Sequence, residues 1–283
     1  MRLVDSHAHI QADAFASDRA AVIAAAREAR IERLLVPGWD AGSSAAALGL
    51  AAEWDWIDAA AGVHPHDAAL ATDSDWALVV QLAADSHVVA IGETGLDFDR
   101  MHSPPKAQLA NLRRHLRLAL ETGKPAILHC RSAAGRRDAQ DALIAELRAA
   151  GFGGVEARDA FGDGPPAVLH SFSGPLDYAV AALDLGLAIS FSGLVFRRGE
   201  ETSSEVARIV PRNRLLIETD SPYLAPPGVP RGGARGFSGR RNSPEYVRIT
   251  GEWLAQQRAE TADSIGAGLV AAYDVTFRRR SRG

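Results

Sequence analysis

Eight short apolar runs, each followed by a stretch with helical spacing, constrain the fold of this chain more than any other feature. In order they are RLVD, RLLVPG, IDAAAGV, VVAIGE, PAILH, AVLH, LAISF and RLLIETD. Short apolar runs bounded by turn residues read as strands buried on both faces, and strands alternating with helices imply a parallel sheet. Eight is the number that closes a (β/α)8 TIM barrel. An open doubly wound sheet needs a Gly-rich phosphate loop after an early strand, and this sequence has none. The clearest helix lies at 103–123. There Ser103 is the expected N-cap, Pro104 the first helical residue, Leu109, Leu112, Leu116 and Leu120 an apolar stripe, and Gly123 the stop.

Barrels of ~250 residues form one domain, so the 283 residues are expected to make a single catalytic domain over 1–283. Two segments break the alternation. The Gly- and Pro-rich 151–166 reads as an extended loop before strand six, and 225–244 as a long loop after strand eight carrying Arg231, Arg235, Arg240 and Arg241. With 47% hydrophobic and 23% charged residues, the composition is that of a globular protein with a large core. A net charge of −4 argues against holding nucleic acid on a broad basic face, so phosphate binding must be local. The N-terminal apolar run is interrupted by Asp5, Ser6 and His7, and no run reaches the ~20 apolar residues of a membrane span. The single cysteine, Cys130, allows no internal disulfide. A cytoplasmic protein without a membrane partner is the expectation.

Polar residues at the C-terminal ends of barrel strands are informative, because that face carries the chemistry. Strand one ends in His7 and His9, strand three in His64 and His66, strand four in Glu93, strand five in His129, strand six in His170 and strand eight in Asp220. Residues i and i+2 of a strand share a side, so His7 and His9 can face one ion. One histidine at a strand end is more often structural; four histidines and two carboxylates recurring at one rim point to metal. Imidazole with carboxylate suits Zn²⁺, Mn²⁺ or Fe²⁺ better than an all-oxygen Mg²⁺ site. Six ligands exceed the three usual for one catalytic zinc, so two divalent ions (Zn²⁺, Mn²⁺ or Mg²⁺) are the expected cofactors.

The strings DSHAHI, GVHPH, IGETGLDF, HCR, HSFSG, ISFSG, ETDSPYLAP and RRNSPEYV resemble, in order, the motif series of the TatD-type metal-dependent deoxyribonucleases. That resemblance implies an amidohydrolase-type TIM barrel and nuclease action on DNA, chiefly exonucleolytic. It also implies that His7, His9 and Asp220 hold one metal, that His129 and His170 hold the second, and that Glu93 bridges them. Spacing alone yields a dinuclear hydrolase; DNA enters only through the resemblance. The chain departs from the family pattern where Ser-Ala-Ala-Gly follows the arginine of HCR, where RGGARGFSGRRN expands a shorter basic stretch, and where YDVTFRRR replaces an Asn-rich helix.

The expected mechanism has a dinuclear centre lowering the pKa of water from about 15.7 towards about 7. Asp220 is the expected general base, and His64, Arg131 and Arg241 are expected to position the phosphate. An esterase or amidase acting on an aminoacyl or N-acyl substrate is the alternative. A metal-binding protein without activity is disfavoured by the complete ligand set. Cys130, adjacent to His129 in a strand, should face the helices, and the same objection covers Ser171. His66 is balanced between a role in the site and one in ordering its loop. His87 and His115 are expected to be structural or solvent-facing, and Arg278, Arg279, Arg280 and Arg282 a solvated tail.

Overall fold

A computed structural model describes residues 1–230 and 240–277. Eight strands, β1 (Leu3–Asp5), β2 (Ile31–Pro37), β3 (Ile57–Ala61), β4 (Val88–Asp97), β5 (Ala126–Arg131), β6 (Ala167–Leu169), β7 (Ala188–Phe191) and β8 (Leu215–Ile217), form one parallel sheet in sequence order. Each corresponds to one of the eight apolar runs. Just beyond the strand ends, a parallel bridge between Ala8 and Ser221 joins the first strand to the last. The same seam is laced by Ser6 N–H to Ile217 O (3.0 Å), Asp220 N–H to His7 O (2.9 Å) and His9 N–H to Ser221 O (2.7 Å). The backbone bonds that close the barrel therefore also fix three candidate ligands.

The helices are α1 (Arg19–Glu28), α2 (Ala41–Glu53), α3 (Asp73–Ala83), α4 (Pro105–Thr122), α5 (Asp138–Ala149), α6 (Val155–Phe161), α7 (Leu176–Asp184), α8 (Thr202–Ile209), α9 (Val247–Arg258) and α10 (Ala262–Thr276). Their apolar stripes and the strands form one continuous core. Among the described residues no helix is long and apolar enough to cross a membrane.

Helix α4 begins one residue later than its sequence suggests. Pro104 is followed by Pro105, and a residue preceding proline is pushed out of the α region; Pro104 is accordingly extended (ψ 149°) and serves as N-cap. Ser103 is thereby released from capping. Its hydroxyl donates to His66 O (2.7 Å) and accepts from Ala69 N–H (3.0 Å), tying the loop after β3 to α4. Gly123 ends the helix at φ 64°, as expected. One turn from the stripe, His115 is fully buried. Its Nδ1 donates to Asn111 O (2.7 Å), Nε2 accepts from Val63 N–H (2.9 Å), and Asn111 Nδ2 donates to Val63 O (2.7 Å). Burial pushes the His115 imidazole down to about 3. Helix α4 thus grips both backbone groups of the residue before His64.

The 151–166 segment is not an extended loop. Its glycines and prolines lie at the two ends, and VEARDAF between them forms α6, burying Ala157 and Phe161 one turn apart. Of the arginines in 225–244, Arg231 and Arg235 lie outside the described residues, as do Arg278, Arg279, Arg280 and Arg282.

Candidate metal centre

Strand ends β1, β3, β4, β5, β6 and β8 bring His7, His9, His64, Glu93, His129, His170 and Asp220 to one place. Glu93 is at the middle, 2% exposed, with its own N–H bonded to Gly38 O at 2.8 Å. Its two carboxylate oxygens face different partners. Oε2 lies 3.2 Å from His7 Nε2 and 3.7 Å from His9 Nε2. Oε1 lies 2.9 Å from His170 Nε2, 3.1 Å from His129 Nδ1 and 3.4 Å from His64 Nε2. Asp220 Oδ1 completes the first group, 3.7 Å from His7 Nε2 and 3.5 Å from His9 Nε2.

This spacing fits donors around a cation. Donors ~2.1 Å from one tetrahedral ion lie ~3.4 Å from each other. The triads His7–His9–Glu93, His64–Glu93–His129 and His7–His170–Asp220 each have all donor atoms within 4.8 Å of one another. His7 Nε2 and His9 Nε2 face each other at 3.1 Å. Between two neutral rings only one nitrogen can carry a proton, so at least one lone pair points inward.

The electrostatics agree with a donor set. Burial alone would raise the Glu93 carboxyl, but His170, His64 and His7 outweigh it and hold it well below the usual carboxylate range. Asp220 is lowered in the same way, its burial outweighed by His9, His7 and His170. Burial pushes His64 down to about 4, and burial with the nearby His170 also lowers His7. Ionised carboxylates beside neutral imidazoles are what a divalent cation binds. His129 and His170 are the exceptions: burial opposes their charge, but Asp97 and Glu93 raise His129, and Glu93 and Glu218 together raise His170 well above the ordinary value.

Two carboxylates outside the expected set orient the rings. Asp97 Oδ2 lies 3.3 Å from His129 Nε2 and 2.8 Å from His66 Nε2, while its Oδ1 accepts from Asp99 N–H (3.0 Å) and Arg100 N–H (2.8 Å). Glu218 Oε1 lies 3.1 Å from His170 Nδ1. A carboxylate on the far nitrogen fixes the tautomer that leaves the near one free to bind metal. Neither was singled out from sequence, although Asp97 follows Glu93 by four residues in one strand and Glu218 precedes Asp220 by two, spacings that share a side. By contrast, His7 Nδ1 and His9 Nδ1 are buried without a hydrogen-bond partner among the described residues. A third acid, Asp5, fixes the turn beneath His7, accepting from Thr219 N–H (2.9 Å) and Thr219 Oγ1 (2.6 Å). Gly95 permits the close passage of β4 over β5: a Cβ there would meet His129 O at 2.0 Å.

Of the three expected phosphate contacts, His64 belongs with the donor atoms. Arg131 is at the end of β5, two residues past His129, and is half-exposed and paired with Asp99 at 2.7 Å. Arg241 is not brought to the donor cluster. Its guanidinium donates to Asp18 (2.8 and 2.6 Å) and Ala14 O (2.7 Å) and lies 4.7 Å over the Phe15 ring, anchoring the end of the long loop to the start of α1. His66, joined to Asp97 and stacked on His102 at 4.3 Å, is part of the network behind His129. Cys130 packs partly buried against the core, and burial pushes its thiol up to about 12, which leaves no thiolate for nucleophilic chemistry. Ser171 bonds to Ser192 at 2.5 Å.

A family model described as "TatD related DNase" matches residues 4–278. The chain is 34% identical to "Uncharacterized metal-dependent hydrolase YabD" of Bacillus subtilis, covering 94% of each chain. It is 36% identical to the "3'-5' ssDNA/RNA exonuclease TatD" of Dickeya dadantii, covering 99% of this chain and 100% of that one. The crystal structure of the TatD homologue YJJV from Escherichia coli K12 superposes with a TM-score of 0.82 at 28% identity over 99% of both chains. A TatD-family hydrolase from Entamoeba histolytica, at 19% identity and a TM-score of 0.80 over 97% of both, shares the fold. The chain therefore belongs to the TatD-related DNase family and is a metal-dependent hydrolase of the TatD type.

Proposed function

We propose that this chain removes nucleotides from the 3′ end of single-stranded DNA by hydrolysing the terminal phosphodiester at a two-cation centre. The observation that carries the two-cation reading is the division of labour at Glu93, one oxygen towards His7 and His9 and the other towards His64, His129 and His170. The nucleic-acid part rests on the family and on relatives named as single-strand exonucleases.

His7, His9 and Asp220 with Glu93 Oε2 would hold one divalent cation, and His129, His170 and Glu93 Oε1 the other, with His64 at the edge of the second group. Cations bound there supply Lewis-acid activation of water and polarise a phosphodiester oxygen. The protein's own part is to hold charge and move a proton. Asp220, ionised and partly open at the rim, accepts the proton of the attacking water. A new P–O bond forms, the P–O bond to the leaving nucleotide oxygen breaks, and that oxygen takes up a proton.

Arg131 is the stronger candidate for a phosphate contact. Its pair with Asp99 is at the surface, where such pairs contribute about 0–1 kcal/mol, so a phosphate can replace it. Arg241 would have to leave three hydrogen bonds and an aromatic face. One catalytic unit spanning the chain and a cytoplasmic location complete the proposal; the single cysteine fits a reducing compartment.

The test is purified protein with Mn²⁺, Mg²⁺ or Zn²⁺, assayed on end-labelled single- and double-stranded DNA beside carboxylic esters and amides. Stepwise shortening of the single strand from its 3′ end is the expected result. Turnover of esters or amides with intact DNA would replace this reading with the esterase or amidase alternative.

A further inference from the structure

Two aromatic side chains stand at the mouth of the site with no role in holding cations. Trp39 follows β2 by two residues, and its carbonyl accepts from His64 N–H at 2.8 Å. Tyr223 follows Asp220, and its N–H donates to Asp220 O at 2.8 Å. Backbone bonds therefore couple each ring to a member of the donor cluster. The Trp39 ring centroid is 5.5 Å and the Tyr223 centroid 6.1 Å from that of His9, with interplanar angles of 69° and 70°. Both rings thus stand steeply to the same imidazole. Tyr223 is 53% exposed, the one aromatic among the exposed large apolar side chains of the described residues, and Trp39 is partly exposed.

An isolated exposed apolar residue needs no explanation. Here a second ring shares the same histidine, and both are beside carboxylates and imidazoles, where a polar rim would be better hydrated. Planar apolar faces beside a phosphodiester site match the chemistry of a nucleobase, whose π-face stacks on aromatic side chains irrespective of base identity.

We propose that Tyr223 and Trp39 form a stacking site for the terminal base of the strand, holding the adjacent phosphodiester over the Glu93-centred cluster. The inference rests on the nuclease reading above and adds how the strand end is recognised. Because stacking is common to all bases, the site accepts any terminal base and tolerates DNA and RNA alike. It discriminates against an end that has lost its base.

The experiment compares two labelled single strands of the same sequence, one ending in a normal 3′ nucleotide and one in an abasic 3′ residue, with the metal-loaded full chain. The parent should favour the base-bearing end by about 5- to 150-fold in kcat/KM, the size of one base–aromatic stack, chiefly through KM. Tyr223→Ala and Trp39→Ala should each reduce that preference several-fold with metal content unchanged by elemental analysis. Tyr223→Phe should keep it, since the ring and not the hydroxyl does the stacking. Equal cleavage of both ends by the parent, or a preference undiminished in both alanine variants, overturns the stacking site while leaving the nuclease intact. Failure to cleave either strand removes the nuclease reading and this inference with it.

Discussion

Replacing Asp97 by asparagine changes one atom at the back of the site and should weaken one cation selectively. In the parent, Asp97 Oδ1 accepts two backbone N–H groups and Oδ2 faces His129 Nε2 and His66 Nε2. Asparagine keeps one oxygen, which stays with the two N–H donors, so its NH₂ turns towards the imidazoles. An N–H cannot face the protonated Nε2 of His129. The ring must move its proton to Nδ1, which then donates to Glu93 Oε1, 3.1 Å away, and no longer offers a lone pair. Loss of such an outer carboxylate lowers metal affinity or activity by about 10- to 100-fold, or about 1.4–2.7 kcal/mol. Asp97 makes no contact with His7 or His9 among the described residues, so the cation held there should keep its affinity. Calorimetric titration of the metal-free chain with Co²⁺ or Mn²⁺ resolves the two steps, and thermal melting of the metal-free variant checks folding. Weakening of one step by 10- to 100-fold with the other within about threefold is the expected result. Equal weakening of both steps, or none, would refute the claim that Asp97 acts by orienting His129.

Glu93→Gln should lower occupancy at both positions, whereas His129→Ala should mainly empty one; elemental analysis showing full two-ion loading in Glu93→Gln would remove the bridge. Arg131→Ala should raise KM and reduce the slope of log kcat/KM against log salt by ~0.7 on a single strand. Arg241→Ala should leave that slope alone and cost about 1–2 kcal/mol of stability in urea melts, through its lost bonds to Asp18 and Ala14; the opposite pattern exchanges the two roles. His115 is held at about 3 against 6.5 unperturbed. The unfolded chain therefore takes up a proton below pH 6.5 that the folded chain refuses. Its contribution is complete above pH 6.5 and is lost as pH falls towards 3, reaching a loss of about 2 kcal/mol at pH 5. His115→Gln should show correspondingly less loss of stability between pH 7 and 5, and an unchanged pH dependence contradicts the assignment.

The barrel was legible because a parallel strand covered on both faces must be a short apolar run, and eight of them are spaced along the chain. The candidate ligands were legible for the same reason: an ionisable residue ending such a run can only emerge at the rim. What escaped was set by contacts between elements distant in sequence. Asp97 and Glu218 lie within quoted motifs, but their work is visible only once β4 meets β5 and β6 approaches β8. That His64 lies beside Glu93 and His129 was not legible, because the reach of its loop is fixed by His115 and Asn111 on α4, a separation of about fifty residues. Arg241 suggested a phosphate from its basic neighbourhood, whereas Asp18, more than two hundred residues earlier, takes its charge. Local rules were also overridden locally. Pro105 moved the start of α4 past Ser103, and Ala157 with Phe161 drew a helix from a segment flanked by glycines and prolines.

On the proposed function, hydrolysis of the strand depends on two cations sharing Glu93. That dependence is tested most directly by stripping the purified chain with chelator and restoring Mn²⁺ in steps, following bound metal and cleavage of a 3′-terminal nucleotide on the same samples. Activity should be absent in the stripped protein, stay low up to one ion per chain, and rise as the second binds. In Glu93→Gln the rise should be lost. Full cleavage by metal-free protein, or maximal activity reached at one ion per chain, would rule out a shared two-cation centre.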